Sequence, residues 1–236
     1  MKLALFVQAR LTSKRFPNKI LSKINNSTVI EILLKRLKKI KQIDKTVVLI
    51  PNNLKNNKLA ILIKKLNVEI FRGSENNVLD RYYKAARKYK AKNIIRITAD
   101  CPLIDIKLLK KIINKYFCGN YNYASNTSPP TFPDGLDIEI FKFSALKQAW
   151  KNSKNNYDKE HVTPYIIRNE KKKLNIKNFV NLKKLRITLD YYKDLVLIKK
   201  IFNFYKPDIY FGLNDIMKLK KKFPTWFEIN KKYNLR

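Results

Sequence analysis

The sequence predicts an α/β fold built on a mainly parallel sheet. Short apolar runs alternate with longer amphipathic stretches through the first half of the chain. That βαβαβα rhythm gives parallel strands when the crossovers are right-handed. The 236 residues are 45% hydrophobic and 12% aromatic, enough for a full core, which excludes wholesale disorder. The length fits one large domain, or one domain with a small appendage. Four glycines exclude collagen-like and Gly-rich low-complexity classes.

Each element follows from local pattern. Residues 3–9 read as a buried strand. Over 28–40, Val29, Ile30, Leu33, Leu34, Leu37 and Ile40 fall near one helical face, with lysines elsewhere. Residues 46–50 form a β-branched strand closed by Pro51. A helix over 57–66 leads to a strand over 68–71 that ends at Arg72-Gly73. Residues 75–90 are helical, with Ser74 as N-cap. A strand over 93–98 precedes a helix over 105–117. The second half is more mixed: a short strand at 121–126, a Pro-rich loop at 127–135 and an alternating strand at 136–141. Helices follow at 144–151 and 159–168, around an Asn- and Lys-rich surface loop at 151–156. A strand at 186–189 and helices at 192–204 and 214–222 complete the chain. It has no evident internal repeat and no linker long enough to mark a domain boundary.

Composition narrows the function classes. The chain carries 52 Lys+Arg against 18 Asp+Glu, a formal net charge of +34. Such charge suits a polyanion, because lysine and arginine release counterions from phosphates. Yet only ten of the basic residues are Arg, and Asn and Ile are also abundant. Lys, Asn and Ile share A/T-rich codons, and the lysines are spread along the whole chain. Base-composition drift over a solvated surface is therefore favoured over a nucleic-acid groove. Cys101 and Cys118 make no disulfide framework; one bridge is open to them, and a reduced pair of small core residues is the preferred reading. The apolar start at 3–7 is too short for a signal-peptide core, and no stretch approaches a membrane span, so a soluble cytoplasmic protein is expected.

Several chemistries are excluded by motif. The chain has no Gly-x-x-x-x-Gly-Lys, no Gly-x-Gly-x-x-Gly, no Cys-x-x-Cys and no Gly-x-Ser-x-Gly, and the single His161 cannot build a multi-histidine zinc site. What remains are charged residues at the ends of expected strands, where open α/β sheets bind ligands. The first group is the run from Gln8 to Lys19, with Arg10, Lys14, Arg15 and Lys19 within ten residues and hydroxyls at Thr12 and Ser13. Such a loop can hold a triphosphate through guanidinium forks and backbone N–H groups. A plain basic surface loop is the alternative, but two Arg in an Arg-poor chain weigh against it. The second group is Arg96-Ile97-Thr98-Ala99-Asp100-Cys101-Pro102-Leu103-Ile104-Asp105. Asp100, at a strand end, suits Mg²⁺ on a phosphate, whereas Asp105 reads as a helix N-cap. The third is Pro133-Asp134-Gly135-Leu136-Asp137-Ile138-Glu139: either a functional cluster, with Asp137 and Glu139 on one strand face, or a hairpin with a polar outer face. The fourth is Arg186-Ile187-Thr188-Leu189-Asp190, with Asp194 a turn on. Asp190 is either a second metal carboxylate or a helix N-cap.

Taken with Arg72-Gly73-Ser74-Glu75, Val78-Leu79-Asp80-Arg81-Tyr82-Tyr83, Ser125-Asn126 and Glu160-His161-Val162-Thr163-Pro164-Tyr165, these blocks make the chain resemble the nucleotide-sugar cytidylyltransferases. The branch is that of the spore-coat polysaccharide and acylneuraminate cytidylyltransferase-like proteins, related to CMP-KDO synthetase. The blocks keep the family order over nearly the whole chain. They are specific to the family and not to the sugar. Asn18 stands where many relatives have Gly; Asn tolerates a left-handed backbone, so the loop should survive.

The resemblance implies a single nucleotidyltransferase domain over 1–236. Its fold would be a three-layer α/β/α sandwich of the nucleotide-diphospho-sugar transferase type, with a mixed, mostly parallel sheet and a Rossmann-like first half. It implies the reaction CTP + sugar acid → CMP-sugar + pyrophosphate. By the same carry-over, Arg10, Arg15 and Lys19 hold the triphosphate, and with Asp100 form the catalytic set. Gln8, Ala9, Ser13, Arg72, Gly73, Ser74 and Thr98 complete the nucleotide site. Asp100 and Asp190 bind Mg²⁺. Asn126, Asp134, Gly135, Asp137 and Glu139 face the sugar, with Glu160 and His161 at its far side. CTP and a small sugar acid are the expected partners, with no nucleic acid and no membrane. A homodimer is common among relatives. Phe223, Trp226, Phe227 and Tyr233 could serve its interface, but core closure is the preferred reading. The alternatives are another nucleotide or a sugar-1-phosphate on the same fold, a basic nucleic-acid-binding protein, and an idle relative that binds a partner.

Overall fold

A computed structural model describes residues 2–233. The strands are β1 (Leu3–Gln8), β2 (Lys23–Ile24), β3 (Ser27–Thr28), β4 (Lys45–Pro51), β5 (Glu69–Gly73), β6 (Asn93–Thr98), β7 (Tyr123–Ser125), β8 (Glu139–Lys142) and β9 (Lys173–Asn175). Seven of them form one sheet in the order β5-β4-β1-β6-β8-β7-β9, while β2 and β3 make a small separate hairpin. Pairing is parallel from β5 through β6, antiparallel on both sides of β8, and parallel again between β7 and β9. The sheet is thus mixed and mostly parallel, with a Rossmann-like half, as the family resemblance implies.

The helices are α1 (Val29–Leu37), α2 (Asn57–Lys65), α3 (Val78–Lys88), α4 (Ile106–Cys118), α5 (Phe143–Asn152), α6 (Asn156–His161), α7 (Pro164–Asn169), α8 (Tyr192–Tyr205) and α9 (Leu213–Lys222). They cover both faces of the sheet. Leu3, Leu5 and Val7 of β1 enter one core with the apolar sides of α1, α2, α4, α8 and α9, while Ala4 and Phe6 enter a second with α3 and α5. Burial on both faces explains why β1 reads as a continuous apolar run. Local signals set the helix starts. Thr28 and Glu31 form a reciprocal capping box on α1. Asp105 caps α4 through the Leu108 N–H at 2.9 Å, and its other oxygen accepts the Leu213 N–H at 2.7 Å, which ties α9 to the same corner.

Several elements differ from the sequence reading. The cap of α3 is Asn77, whose side chain accepts the Asp80 N–H; Ser74 instead accepts the Asn77 N–H at 3.0 Å, one step earlier in the turn. The helix expected over 159–168 is two helices, because Val162 takes a positive φ of 71° and Pro164 opens α7. The strand expected at 136–141 begins only at Glu139. Residues 186–189 form no strand: a single bridge joins Arg186 to Asp134, and Leu189 donates to the Asp100 carbonyl at 2.9 Å. Ile187 and Leu189 are fully buried, so the apolar alternation is real, but no neighbouring strand is there to pair with it. The cysteines also part company: Cys101 is buried, whereas Cys118 is exposed at the end of α4, and both are free thiols. Phe227 is buried in the core, and Phe223 and Trp226 pack against it. Among the described residues no helix is long and apolar enough to cross a membrane.

Candidate active site

The chain leaves β1 toward β4 and β5 on one side and returns to β6 on the other. That reversal opens a crevice at the carboxyl ends of β1 and β6, the usual ligand position in such sheets. A cleft of about 130 Å³ lies there, lined by Gln8, Ala9, Arg10, Ser13, Arg15, Lys19, Ile20, Thr98, Ala99, Asp100 and Asp190. A larger hollow of about 840 Å³ lies at the amino end of β6, between α3 and α5, and no carboxylate lines it. Of the charged residues singled out in the sequence, Arg10, Arg15, Lys19, Asp100 and Asp190 line the smaller cleft.

The loop after β1 is held from below. The Ala9 N–H donates to Leu49 O at 3.0 Å, and the Leu11 N–H to the Asn56 side chain at 2.9 Å. Glu75 braces it sideways, accepting from the Thr12 hydroxyl and the Asn53 amide, each at 2.6 Å. Asn18 turns the loop at φ 57°, the left-handed geometry expected of it, and starts the 3₁₀ turn Lys19–Leu21. The turn aims Lys19 inward, with its side chain 8% exposed.

At the floor, the Lys19 ammonium lies 2.6 Å from Asp100 Oδ2 and 2.8 Å from Asp190 Oδ1. Arg15 Nη2 reaches the same Asp190 oxygen at 2.8 Å, and Arg186 Nη2 takes the other at 2.9 Å. Burial would raise the Asp190 pKa, but Lys19, Arg186 and Arg15 outweigh it and hold the carboxyl below the usual range. Burial would likewise lower Lys19, and Asp100 and Asp190 more than offset it, leaving the ammonium raised. Arg10 lines the cleft, exposed, and forms no ion pair among the described residues.

Arg186 is the residue that the sequence displayed without its role. Its guanidinium is buried and fully engaged: Nη1 to Asp134 at 2.8 Å, Nη2 to Asp190, and Nε to Asp194 at 3.1 Å. Asp194 also accepts the backbone N–H groups of Asp190 and Tyr191 at 2.8 Å, and Asn230 donates to both Asp194 and the Arg186 carbonyl. This network fixes the Asp190 carboxylate. Tyr191 adds a ring face under Arg15, 5.1 Å from the guanidinium carbon. Ile20 and Ala99 also line the cleft, as neighbours of expected residues with no chemical signal of their own.

Other sequence-predicted residues lie elsewhere. Gly73 ends β5, two strands from β1, with Ser74 just beyond it, while Arg72 lines a hollow with α2. Asn126 is buried, with its amide donating to Leu136 O and its oxygen accepting from Ile138 N; both ends are used to strap that loop. Glu139 is buried inside the sheet, bonded to Arg96 and to the Tyr123 hydroxyl. Asp134 touches the cleft's edge through Arg186, and Gly135 beside it sits at φ 108°, where a side chain would collide with the backbone of Thr188. The Asp137 side chain is partly exposed on the same loop. Glu160 and His161 are exposed on α6, His161 against the Tyr157 ring, without a hydrogen bond to the cleft residues.

Asp100 and Asp190 are the pair that could hold a metal, because they already share one cation between hard oxygen donors. Among the described residues no group of three or more His, Cys, Asp or Glu is arranged for a metal. Two carboxylates are nonetheless the donor set that suits an ion such as Mg²⁺, which takes one or two carboxylates and completes its shell with water and substrate phosphates.

The family described as Cytidylyltransferase matches residues 4–229. A solved cytidylyltransferase from Leptospira borgpetersenii superposes with a TM-score of 0.91 at 33% identity, covering 96% of this chain and 97% of that one. The spore coat polysaccharide biosynthesis protein SpsF of Bacillus subtilis is 31% identical over 170 residues, 68% of each chain. The CMP:2-keto-3-deoxy-manno-octonic acid synthetase solved with CTP shares the fold, with a TM-score of 0.67 at 11% identity over 87% of this chain and all of that one.

Proposed function

The chain belongs to the cytidylyltransferase family, and on that footing we propose that it joins the CMP unit of CTP to a hydroxyl of a sugar acid, nonulosonic or KDO-like, with release of pyrophosphate. The product would feed the synthesis of a surface polysaccharide or glycan, as the name of the Bacillus relative suggests. One observation carries the reading: a cationic loop and two carboxylates, far apart in sequence, meet in a single cleft at the sheet's reversal point.

The chemistry asked of that cleft is in-line displacement. The sugar hydroxyl forms a new bond to the α-phosphorus and gives up its proton to solvent, while the bond from the α-phosphorus to the oxygen bridging to the β-phosphate breaks and pyrophosphate leaves. Two anions must be brought together and the charge gathering on the leaving group offset. Arg10, exposed and without an ion-pair partner among the described residues, and Arg15, whose side chain is 45% exposed, are the groups able to meet a triphosphate. Lys19, on the floor of the same cleft, would be a further cation for a phosphate oxygen. The backbone N–H groups of the loop after β1 add neutral donors. Mg²⁺, held by Asp100 and Asp190, would supply charge neutralisation on the phosphates and lower the pKa of the attacking hydroxyl. No covalent nucleophile is needed. Asp134 and Asp137 suit hydroxyls of the acceptor, while Glu139, buried on Arg96, acts only by holding the sheet beneath it.

The experiment is a pyrophosphate-release assay with Mg²⁺, in which CTP, UTP, GTP and ATP are each paired with sugar acids and with sugar-1-phosphates. Release is expected with CTP and a sugar acid. Release only with another nucleotide, or only with a sugar-1-phosphate, would replace that half of the proposal. CTP with Mg²⁺ should also raise the melting temperature, since a ligand bound only by the native state stabilises it by about 2.7 kcal/mol at a hundred times Kd.

A further inference from the structure

The Lys19 ammonium stands where a divalent cation would have to stand. It lies 2.6 Å from Asp100 Oδ2 and 2.8 Å from Asp190 Oδ1. A magnesium ion bound by the same oxygens approaches them to about 2.1 Å. Both cations cannot sit between one pair of oxygens; they would collide and repel. The lysine backbone is not free to withdraw, because it belongs to the 3₁₀ turn, where its N–H donates to Phe16 O and its carbonyl accepts from Ser22. Only the side chain can swing, and a buried ammonium leaves two carboxylates only for another anion. The nearby carboxylates of Asp134 and Asp194 are already bonded to Arg186. The cluster also offers little pull on a bare metal ion: Asp100, Asp134, Asp190 and Asp194 are matched by Lys19, Arg15, Arg186 and the adjacent Arg10.

We propose that Lys19 and the divalent ion exchange places, so that the protein takes up metal only together with a nucleotide triphosphate, whose phosphate oxygens receive the lysine as the ion takes over Asp100 and Asp190. Binding order is thereby set by one side chain. The proposal rests on the reading of Asp100 and Asp190 as the metal carboxylates, and goes beyond it by making Lys19 the gate.

The test is Mn²⁺ binding to the full chain, read by equilibrium dialysis with CTP either absent or present on both sides of the membrane, so that metal held by CTP alone cancels. Wild type should retain Mn²⁺ with CTP and at least tenfold more weakly without it. Lys19→Met should bind Mn²⁺ without nucleotide at least tenfold more tightly than wild type, and its melting temperature should rise with Mn²⁺ alone. Lys14→Met removes the same charge from the exposed part of the same loop and should gain nothing. Lys19→Gln keeps a polar head and provides a second reading if the methionine variant fails to fold. Equal nucleotide-free binding by wild type and the Lys19 variants overturns the exchange. So does an equal gain in Lys14→Met, which would reduce the effect to net charge. Wild type that retains no Mn²⁺ even with CTP overturns the underlying assignment of the two carboxylates, a result distinguishable from failure of the exchange alone.

Discussion

Asp190 accepts three cations at once, and its behaviour shows what the cleft is built to do. Lys19, Arg186 and Arg15 hold its carboxyl below the ordinary range despite burial. A carboxyl depressed in the folded state adds stability that is fully present above its unfolded value of about 3.9 and is lost as pH falls through the folded value. Lys19 works the opposite way: raised in the folded state, it adds stability present below about 10.4 and lost as pH rises through the folded value. These two groups should leave stability flat between about pH 5 and 9. Denaturant titrations across pH should show a shallower acid limb in Asp190→Asn than in wild type; an identical limb would remove Asp190 from the linkage. For turnover, Asp100→Asn keeps shape and loses charge, and should cut kcat by about a hundredfold or more while the fold survives. A wild-type rate with Mg²⁺ and CTP would exclude Asp100 from the chemistry. Arg15→Ala should raise the KM for CTP and change stability by less than about 1 kcal/mol, because that ion pair is half exposed. Asp100 and Asp190 were legible in the sequence because each stands just beyond an apolar run, and Arg15 and Lys19 because they crowd one short loop whose cations include two Arg in an Arg-poor chain. The role of Arg186 was not. Two of its carboxylates, Asp190 and Asp194, follow it by four and eight residues, but Asp134 and Asn230 lie 52 and 44 residues away, and only the fold brings them to the same residue.

Elements were readable where their cause is local. The capping box at Thr28 and Glu31, the Asp105 cap and the apolar runs of β1 and β6 each carry their own signal within a few residues. Residues 186–189 carry the same apolar signal yet form no strand, because a strand also needs a partner, and that is a property of the assembled sheet. The segment passes instead between the loops after β6 and before β8, bonded to Asp100 and Asp134. That crossing depends on Gly135. Its φ is 108°, and a Cβ there would lie 2.5 Å from the Thr188 nitrogen and 2.7 Å from the Ile187 carbonyl carbon. Both are backbone atoms, which cannot turn aside as a side chain can. Gly135→Ala should therefore destabilise the fold by about 1–3 kcal/mol in urea unfolding. It should also weaken CTP binding, because the displaced segment carries Arg186 and Asp190. A loss below about 0.5 kcal/mol would mean that the crossing is pliable and that the Asp134–Arg186 contact does not hold the site.

At the scale of the molecule the charge of +34 is the dominant fact, and the fold shows how it is carried. Exposed lysines lie on α4 (Lys107, Lys110, Lys111, Lys115) on one side of the sheet and on α3 (Lys84, Lys88) on the other, with more on α9 (Lys218, Lys221, Lys222). Both faces are therefore basic, which accords with drift in composition more than with a groove shaped for a polyanion. Charge spread in this way repels itself and favours expansion of the chain. Screening acts on it strongly, because the Debye length falls from about 30 Å at 0.01 M to about 10 Å at 0.1 M ionic strength. The ion pairs that matter to the site are sheltered: the side chains of Lys19 and Arg186 are 8% and 4% exposed, so salt weakens them far less than it weakens the surface repulsion. The melting temperature should therefore rise with sodium chloride from about 0.01 to 0.3 M, and any retention on heparin or duplex DNA should vanish over the same range. A melting temperature that falls instead would mean that attractive surface pairs outweigh the lysine repulsion. Sequence-selective DNA binding that persists at 0.3 M salt would make the positive charge a function and not a by-product of composition.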